Sequence, residues 1–565
     1  MHRDRRRYSL RTGAVLLTGL VLLAISALLP GAPALAQGDD ATSPAPFSGG
    51  PLPNDRDAFF AGSGVCATCH GRLTDAAGDD VSIDSYWRAT MMANAARDPY
   101  WQASVSIETA NLPQYAEVIE DKCAVCHTPM AHFSAVQAGA STRLFEGGFL
   151  SVEHPQHALA LDGNSCTLCH QIEDVAFGEP ESFSGHYTID AELPAGERLN
   201  YSRFAVSEQG SAIMQGASGF IPVQSMHMAQ AELCATCHTL YTPYVDDTAT
   251  IVGEFPEQTP YLEWLDSAYA GNTPCQGCHM PQAEGAVVTS ITGGEPREPF
   301  FKHTFVGGNV YLMDIFLAHG AEMATTAGSE HFAFTREQTM AQLQQRAAAV
   351  SLENVGFADS TLAFNIVVEN RAGHKLPTGF PSRRAWLHIA VSDSAGNMIF
   401  ESGGYSEDGR IIGDDHDDDP ARFEPHRTVI LSPDDVQIYQ SIMGDVNGEV
   451  TSILLRGAGY LKDNRLLPAG FDKDTTHPDV RPSDAALADA NFVGGGDRVM
   501  VSLNTGAAEE PFEVSVELLY QALSYRWIEK LRDFDTAESA RFLGYHETVP
   551  NTPVVIASVT ESVSP

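Results

Sequence analysis

All ten cysteines of this 565-residue chain fall into one repeated pattern, Cys-x-x-Cys-His, which occurs five times. Two thiols at this spacing can add to the two vinyl groups of one porphyrin, and the histidine that follows them can bind the iron. The sequence therefore predicts five covalently attached c-type haems. The residues of the five boxes, in chain order, are Cys66, Cys69 and His70; Cys123, Cys126 and His127; Cys166, Cys169 and His170; Cys234, Cys237 and His238; and Cys275, Cys278 and His279.

Zinc sites and disulfides are the two alternative uses of paired cysteines. A zinc ribbon pairs two boxes around one ion, so five boxes would leave one unmatched. Neither alternative requires a histidine directly after the second cysteine, yet all five boxes have one. The pattern favours haem, and it leaves no cysteine free to act as a nucleophile. We find no catalytic residue in the sequence.

The first 36 residues have the features of a signal peptide. Five arginines between Arg3 and Arg11 precede an apolar stretch at 13–29, and residues 34–36 (Ala-Leu-Ala) predict cleavage before Gln37. An uncleaved membrane anchor is the alternative, because 17 residues are close to the minimum for a span. We see no second stretch long enough to span. The sequence thus predicts a periplasmic or extracellular protein without a stable membrane span in its mature form.

The charge of the chain limits its partners. It has 34 basic and 73 acidic residues, and loss of the signal peptide removes five arginines and Asp4. Such a negative field repels nucleic acid and attracts partners with basic surfaces, so redox partner proteins are expected. Solubility outside the cell is the alternative reason for this acidity.

The chain divides into segments of different composition, which together predict an α+β fold. Residues 37–58 are rich in Pro, Gly, Ser and Asp and indicate a flexible leader. Residues 59–330 carry the five boxes at irregular intervals, which predicts short helices and loops packed around haems. A connecting helix is expected within 331–350. Residues 351–565 contain the alternating apolar pattern of a β-sandwich.

Several individual elements follow from these patterns. The connecting helix is predicted to run from Thr335, its N-cap, to Ala349. Short helices are expected at 85–96 and 261–269. The predicted strands are Leu362–Glu369, Ala385–Val391, Met398–Glu401 and Phe512–Leu519.

Each haem iron has a second axial position, which decides whether the haem only carries electrons or is open to substrate. Between residue 59 and Trp386 nine histidines lie outside the boxes, enough to fill all five positions. The preferred distal ligands are His132, His227, His303 and His374.

Haem one is expected to differ from the others, because no histidine lies between His70 and His127. Met91 or Met92 could bind its iron, with Met92 preferred, and a methionine ligand raises haem potential. His154 or His157 is an alternative ligand. The two methionines could instead be helix core residues.

Charged residues near the His374 turn and in a later loop have two interpretations each. Lys375, Arg383 and Arg384 could pair with haem propionates or form salt bridges within the second half. The aspartates around His416 could hold Ca²⁺, but their spacing fits no ordered calcium loop, which favours a solvated turn.

Longer runs around the boxes resemble a known family. They include residues 86–101 (YWRATMMANAARDPYW), 303–309 (HTFVGGN) and 373–388 (GHKLPTGFPSRRAWLH). They are similar to extracytoplasmic multihaem cytochromes related to the nitrifier tetrahaem cytochrome c, over most of residues 60–550. The resemblance implies electron transfer through closely stacked haems. In such proteins a Trp-x-x-Ser-x-His motif supplies a distal ligand.

At the positions of that motif this chain has Trp87, Thr90 and Met92. The departure from the family pattern puts histidine ligation of haem one in doubt and is a second reason to favour Met92.

Three function classes remain after these observations. The preferred one is a non-enzymatic electron carrier with mostly bis-histidine haems. The second is a multihaem oxidoreductase of a small nitrogen or sulfur compound, with one open haem. Pentahaem nitrite reductases have lysine in the box of their catalytic haem, whereas all five boxes here end in histidine, which weighs against this class. The third is a self-assembling subunit of an extracellular conduit or filament.

Overall fold

The computed structural model describes residues 49–564, so the predicted signal peptide and most of the predicted leader lie outside the described residues. Helices predominate before residue 343 and strands after it, which confirms the α+β class. Within residues 49–564, no helix is both long enough and apolar enough to cross a bilayer.

Short α-helices dominate residues 59–330 of the described chain, as the sequence predicts, and none that ends in this part exceeds 13 residues. The helices are α1 (Ser63–His70), α2 (Ile83–Trp87), α3 (Pro99–Asn111), α4 (Ala116–His127), α5 (Pro129–Ala138), α6 (His157–Leu161), α7 (Cys166–Cys169), α8 (Glu208–Ser218), α9 (Ala231–His238), α10 (Pro260–Leu265), α11 (Cys275–His279) and α12 (Val310–His319). Two small sheets, which the sequence did not predict, pair β1 (Arg198–Ser202) with β2 (Phe220–Gln224) and β3 (Leu240–Val245) with β4 (Ile251–Gln258).

Every haem box lies at the C-terminal end of a helix. Helices α1, α4, α9 and α11 end at the histidine of their box, and α7 ends one residue before it. Residues three apart on a helix lie on the same face, so both thiols of a box point to one side. Each box thus places its two thiols on one face of a helix, close to the C-terminal end of that helix.

Two predicted helices in this part are shorter than expected. The helix expected at 85–96 ends at Trp87. The side chain of Asn94 donates to the carbonyls of Arg88 and Thr90, and the Thr90 hydroxyl accepts the N–H of Ala93. These local bonds compete with helical ones. The helix expected at 261–269 is α10, which ends at Leu265.

The connecting helix was predicted with wrong ends. Helix α13 (Ser329–Gln342) begins six residues before Thr335, which is buried inside it. His331 Nδ1 accepts the N–H of Gly328 and caps the first turn. After α13 the chain forms one π-helical turn, Leu343–Ala347, and enters a strand at Ala348.

Two sheets make up most of the rest of the described chain, and all four predicted strands occur within two residues of their expected ends. One sheet has the order β11-β10-β7-β13-β14 with β8 beside β7, and the other has the order β5-β6-β12-β9. The strands are β5 (Ala348–Ala358), β6 (Thr361–Asn370), β7 (Arg384–Ser392), β8 (Met398–Ser402), β9 (Val429–Ile430), β10 (Ile438–Gly444), β11 (Gly459–Asp463), β12 (Gly496–Asn504), β13 (Phe512–Gln521) and β14 (Val554–Val563).

One apolar core lies between the two sheets. Strand β6 buries every second residue, including Phe364 and Ile366, and β7 and β13 bury Ile389 and Val516 into the same cluster. Side chains from the helical part, such as Trp264 of α10, join this cluster. The sheets therefore pack on the helical part through a shared core.

Four more helices follow the first of these sheet strands in the described chain: α14 (Asp415–Asp418), α15 (Ala485–Ala488), α16 (Tyr525–Glu529) and α17 (Ala537–His546). Helix α17 packs on α3, where Phe542 contacts Tyr100 with ring centres 5.3 Å apart. The described residues belong to one compact unit, and its chain returns to the helical part near its end.

Candidate haem-binding cavity

A continuous cavity of about 1490 Å³ runs through the helical part and reaches the edge of the sheets. All fifteen residues of the five boxes line it. The ten cysteines are free thiols, and the structure joins none of them in a disulfide. The volume exceeds that of an ordinary small-molecule pocket. The structure thus brings five distant sequence motifs to the wall of one cavity.

Backbone carbonyls orient four of the box histidines. Each of these rings donates from Nδ1, which leaves Nε2 without a proton and able to bind a metal. The Nδ1–O distances are 2.6 Å for His70 with Thr289, 3.0 Å for His127 with Ala95, 2.6 Å for His170 with Tyr201 and 2.5 Å for His279 with Val306.

Four of the box histidines are held neutral by burial. Burial lowers the pKa of His127 and of His279 to about 4, and it lowers the pKa of His170 and His238 as well. Only the neutral imidazole can act as a metal ligand. These rings are therefore in the ligand-competent form at neutral pH.

The order of the boxes in space differs from their order in the chain. The thiol of Cys66 lies within hydrogen-bonding reach of Cys166, which joins boxes one and three. Cys126 is similarly close to Cys237, and Cys234 is close to Cys275. Box four thus adjoins both box two and box five.

His374 stands opposite the histidine of box five. The ring centres of His279 and His374 are 6.2 Å apart and their planes differ by 13°. Imidazole nitrogens bind metals at about 2 Å, so two rings on opposite sides of one ion have centres about 6 Å apart. His374 Nδ1 bonds to the carbonyl of Lys375 at 2.8 Å. This leaves its Nε2, like that of His279, for a metal.

His227 and His303 are buried near boxes one and three. His227 Nδ1 bonds to the Ser225 hydroxyl at 2.7 Å, and its Nε2 has no hydrogen-bond partner among the described residues. His303 lines the cavity, its Nδ1 likewise lacks such a partner, and burial lowers its pKa to about 3. His303 interacts electrostatically with His70 and His170. A buried polar atom without a partner is costly, which is consistent with a missing metal bond.

Met92 also lines the cavity, but its surroundings are not those of box one alone. Its carbonyl accepts the N–H of Asn164, two residues before box three, at 3.0 Å. The Asn164 side chain donates to the carbonyl of Cys126 in box two. The position of Met92 therefore suits haems two and three as well as haem one. Met91 lines the cavity and also packs against an apolar cluster.

His132 is placed away from the cavity wall. The Nε2 atom of His132, which would bind iron, is instead hydrogen-bonded to an Asp121 carboxylate oxygen at 2.9 Å. His154 and His157 contact Phe149 through a ring edge and a carbonyl, and neither is part of the cavity lining. Of the four preferred distal histidines, the structure brings only His303 and His374 to the cavity wall, with His227 buried close behind it.

Three cationic side chains could pair with haem propionates: Lys375, Arg383 and Arg384. Of these, only Arg383 lines the cavity. Lys375 is fully buried and pairs with Asp463 at 2.7 Å. Arg384 is buried and pairs with Asp414 at 3.0 Å and with Asp417 at 2.9 Å. The interpretation of the aspartates near His416 as a solvated turn was thus wrong for two of them, because they neutralise a buried arginine.

Sequence reasoning missed three side chains of the cavity near box two. Glu108 and Glu257 line the cavity and are buried, and burial raises the pKa of each to about 7. Trp101 stacks on His127, with ring centres 4.2 Å apart. In the sequence Glu108 resembles any helix glutamate, since the groups that bury it come from distant segments. A signal was present for Trp101, which lies in the run that resembles the multihaem family.

Comparison with known proteins gives one structural similarity. The chain is similar in structure to a penta-heme cytochrome c552 from Thermochromatium tepidum, at 15% identity and a TM-score of 0.49, over 90% of this chain and 100% of that chain. No protein-family model and no curated protein matches the sequence.

Proposed function

We propose that this chain is an extracytoplasmic electron-transfer protein that holds five c-type haems. The observation that carries the proposal is that all fifteen box residues line one cavity. The thiols of each box would attach one haem, and the box histidine would bind its iron. A bound haem supplies a one-electron couple between ferric and ferrous iron.

The residues of the chain favour six-coordinate iron at box five and near boxes one and three. His374 is the distal ligand at box five, because its ring faces that of His279 at the spacing of two axial imidazoles. His227 and His303 serve boxes one and three, since both are buried near His170 with an unpaired ring nitrogen. Met92 remains a candidate at the junction of boxes one to three. Two axial histidines leave no position for substrate, which favours a carrier over an enzyme.

The path of electrons follows the contacts between boxes. Boxes one and three, two and four, and four and five are neighbours through their thiols. These contacts form two groups, boxes one and three and boxes two, four and five, and electrons would pass between neighbouring boxes within each group. The acidic surface attracts redox partner proteins with basic surfaces, in the periplasm or outside the cell.

Haem content and spin state test the proposal together. A pyridine haemochrome assay on purified protein should give five haems per chain. Low-temperature electron paramagnetic resonance of the oxidised protein should then show low-spin iron, with no high-spin signal and no change when nitrite or hydroxylamine is added. Replacing both cysteines of box five (Cys275→Ser with Cys278→Ser) should lower the haem content by one fifth.

Two outcomes would contradict the proposal. Fewer than five haems in fully matured protein would overturn the attachment of one haem per box. A high-spin signal that shifts with nitrite would indicate an open iron and support the oxidoreductase class.

A further inference from the structure

A buried cluster of four charged side chains lies beside the His374 turn (residues 370–378). It consists of Glu263, Lys375, Asp463 and Arg465, each no more than 3% exposed. The ion pairs are 2.9 Å for Arg465 with Glu263, and 2.7 Å for Asp463 with both Lys375 and Arg465. Two positive and two negative charges cancel within the cluster. Burial without such pairing would be strongly unfavourable.

Glu263 is the one member of this cluster that the helical part contributes. It lies on α10, whereas the other three lie in the His374 turn and at the end of β11 or just after it. Its carboxylate accepts the backbone N–H of Lys375 at 3.1 Å and the hydroxyl of Thr378. The Glu263 carboxylate therefore holds Lys375, which follows His374, and Thr378, which lies four residues after His374.

Side chains from α10 and from the loop after it contact the other side of the turn. Trp264 of α10 lies so near Gly373, directly before His374, that a Cβ atom added to this glycine would be 3.5 Å from the Trp264 Cδ1 atom. The Tyr269 hydroxyl donates to the carbonyl of Arg371 at 3.1 Å. The Asn370 side chain donates to the carbonyl of His374 at 2.9 Å. The turn is thus clamped on both flanks, while the His374 ring projects to the cavity.

We propose that Glu263 is a positioning residue, which fixes the His374 turn so that the Nε2 atom of His374 faces the Nε2 atom of His279. This inference rests on the proposed function, because the position matters only if an iron is bound between the two rings. Ordering a turn before ligation removes the entropy cost of ordering it when the metal bond forms. Loss of Glu263 releases two anchors of the turn and leaves Arg465 with one partner instead of two.

The test is the spin state of Glu263→Ala, compared with His374→Ala. We expect His374→Ala to convert up to one fifth of the total iron to a high-spin signal, because one haem loses its distal ligand. Glu263→Ala should give a smaller high-spin fraction of the same type, and a low-spin state should return when imidazole is added to replace the displaced ring. A merely structural role would leave the spin state unchanged.

The matched control is Asp417→Asn. This substitution removes a buried carboxylate from the ion cluster of Arg384, which does not contact the His374 turn. It should lower stability without producing high-spin iron. If it produced the same signal, general destabilisation would explain the result and the inference would be wrong.

A milder variant keeps the test decisive if Glu263→Ala does not fold. Thr378→Val removes only the hydroxyl that donates to Glu263, and it should give a small high-spin fraction that imidazole removes. The role of Glu263 would be overturned if all five haems stayed low-spin in Glu263→Ala and Thr378→Val, or in Thr378→Val alone where Glu263→Ala does not fold. Five low-spin haems in His374→Ala would instead overturn the ligand assignment in the proposed function, so the two failures are distinguishable.

Discussion

The helical part and the sheet part of this protein obtain their cores in different ways. In the sheets, alternate side chains of facing strands bury one another, as Phe364, Ile389 and Val516 do in one cluster. In the helical part, many side chains instead line the haem cavity, and apolar residues such as Val206 and Ile213 of the α8 region are left more than 40% exposed. The sheets share one large protein core, whereas the helical part has smaller apolar clusters beside a cavity that the proposed haems would fill.

This difference explains why the two parts carry different amounts of regular structure. Short helices have few internal contacts and are marginal alone, so they need packing on a partner. The proposed haems would supply that apolar surface from the boxes, which lie at helix ends.

The largest effect should follow removal of all haem. A chain in which both cysteines of every box are changed to serine cannot attach it. We expect limited proteolysis to cut this chain within residues 59–319 and to spare residues 348–563, because the latter share one large protein core whereas the apolar clusters of the former are smaller. Mass spectrometry of the fragments would locate the cuts, with the wild-type holoprotein as control. Equal resistance of both parts would contradict the comparison.

A core substitution in the sheets should be costly whether or not haem is bound. Phe364 is 1% exposed on β6, and Phe364→Ala should lower the free energy of unfolding by about 3–5 kcal/mol. Met500→Ala on β12, where the side chain is 43% exposed, should change it by less than about 0.5 kcal/mol. Chemical denaturation followed by circular dichroism would measure both. A cost below about 1 kcal/mol at Phe364 would mean that the sheet core is not tightly packed.

The sequence anticipated the sheet part better than the cavity. Alternating residues placed β6 and β7 nearly to the residue, because a strand pattern depends on near neighbours. The cysteine boxes could be read for the same reason, because their residues are near neighbours in the chain. Of the two interpretations left open for Lys375 and Arg384, the structure supports salt bridges, which the sequence could not select because the partners Asp463 and Asp417 lie far away in it. His132 was misassigned because nothing local in the sequence indicates its bond to Asp121.

The two buried glutamates of the cavity should make the helical part sensitive to pH. Burial raises the pKa of Glu257 to about 7, so folding favours its protonated form. This stabilisation is present below pH 4.5 and is lost as the pH rises through 7. Glu257→Gln mimics the protonated form and should stabilise the protein by roughly 2 kcal/mol at pH 8 but not at pH 4.5.

Thermal unfolding at the two pH values would measure this difference. Glu254→Gln, on the exposed side of β4, is the matched control and should leave stability unchanged. The same gain from Glu257→Gln at both pH values would show that the carboxyl group does not titrate in the folded protein near neutral pH.

The smallest effect should come from removing the N-cap side chains of two helices, α3 and α8, which should lower stability by different amounts. Asp98 caps α3 by accepting the N–H groups of Tyr100 and Trp101, and α3 packs on α17. Ser207 caps α8, whose cavity-facing residues include Ile213 and Met214. Loss of a cap costs about 1 kcal/mol when the helix packs on protein, so Asp98→Ala should lower stability by that amount and Asp98→Asn should retain it.

In the holoprotein, Ser207→Ala should cost less, about 0.5 kcal/mol, because contacts with haem rather than the first turn hold α8 in place. Denaturant unfolding followed by far-ultraviolet circular dichroism would compare the variants with wild type. An equal or larger cost at Ser207 would mean that α8 is stabilised mainly by its own hydrogen bonds. The helical part would then depend less on its cofactor than the comparison with the sheets implies.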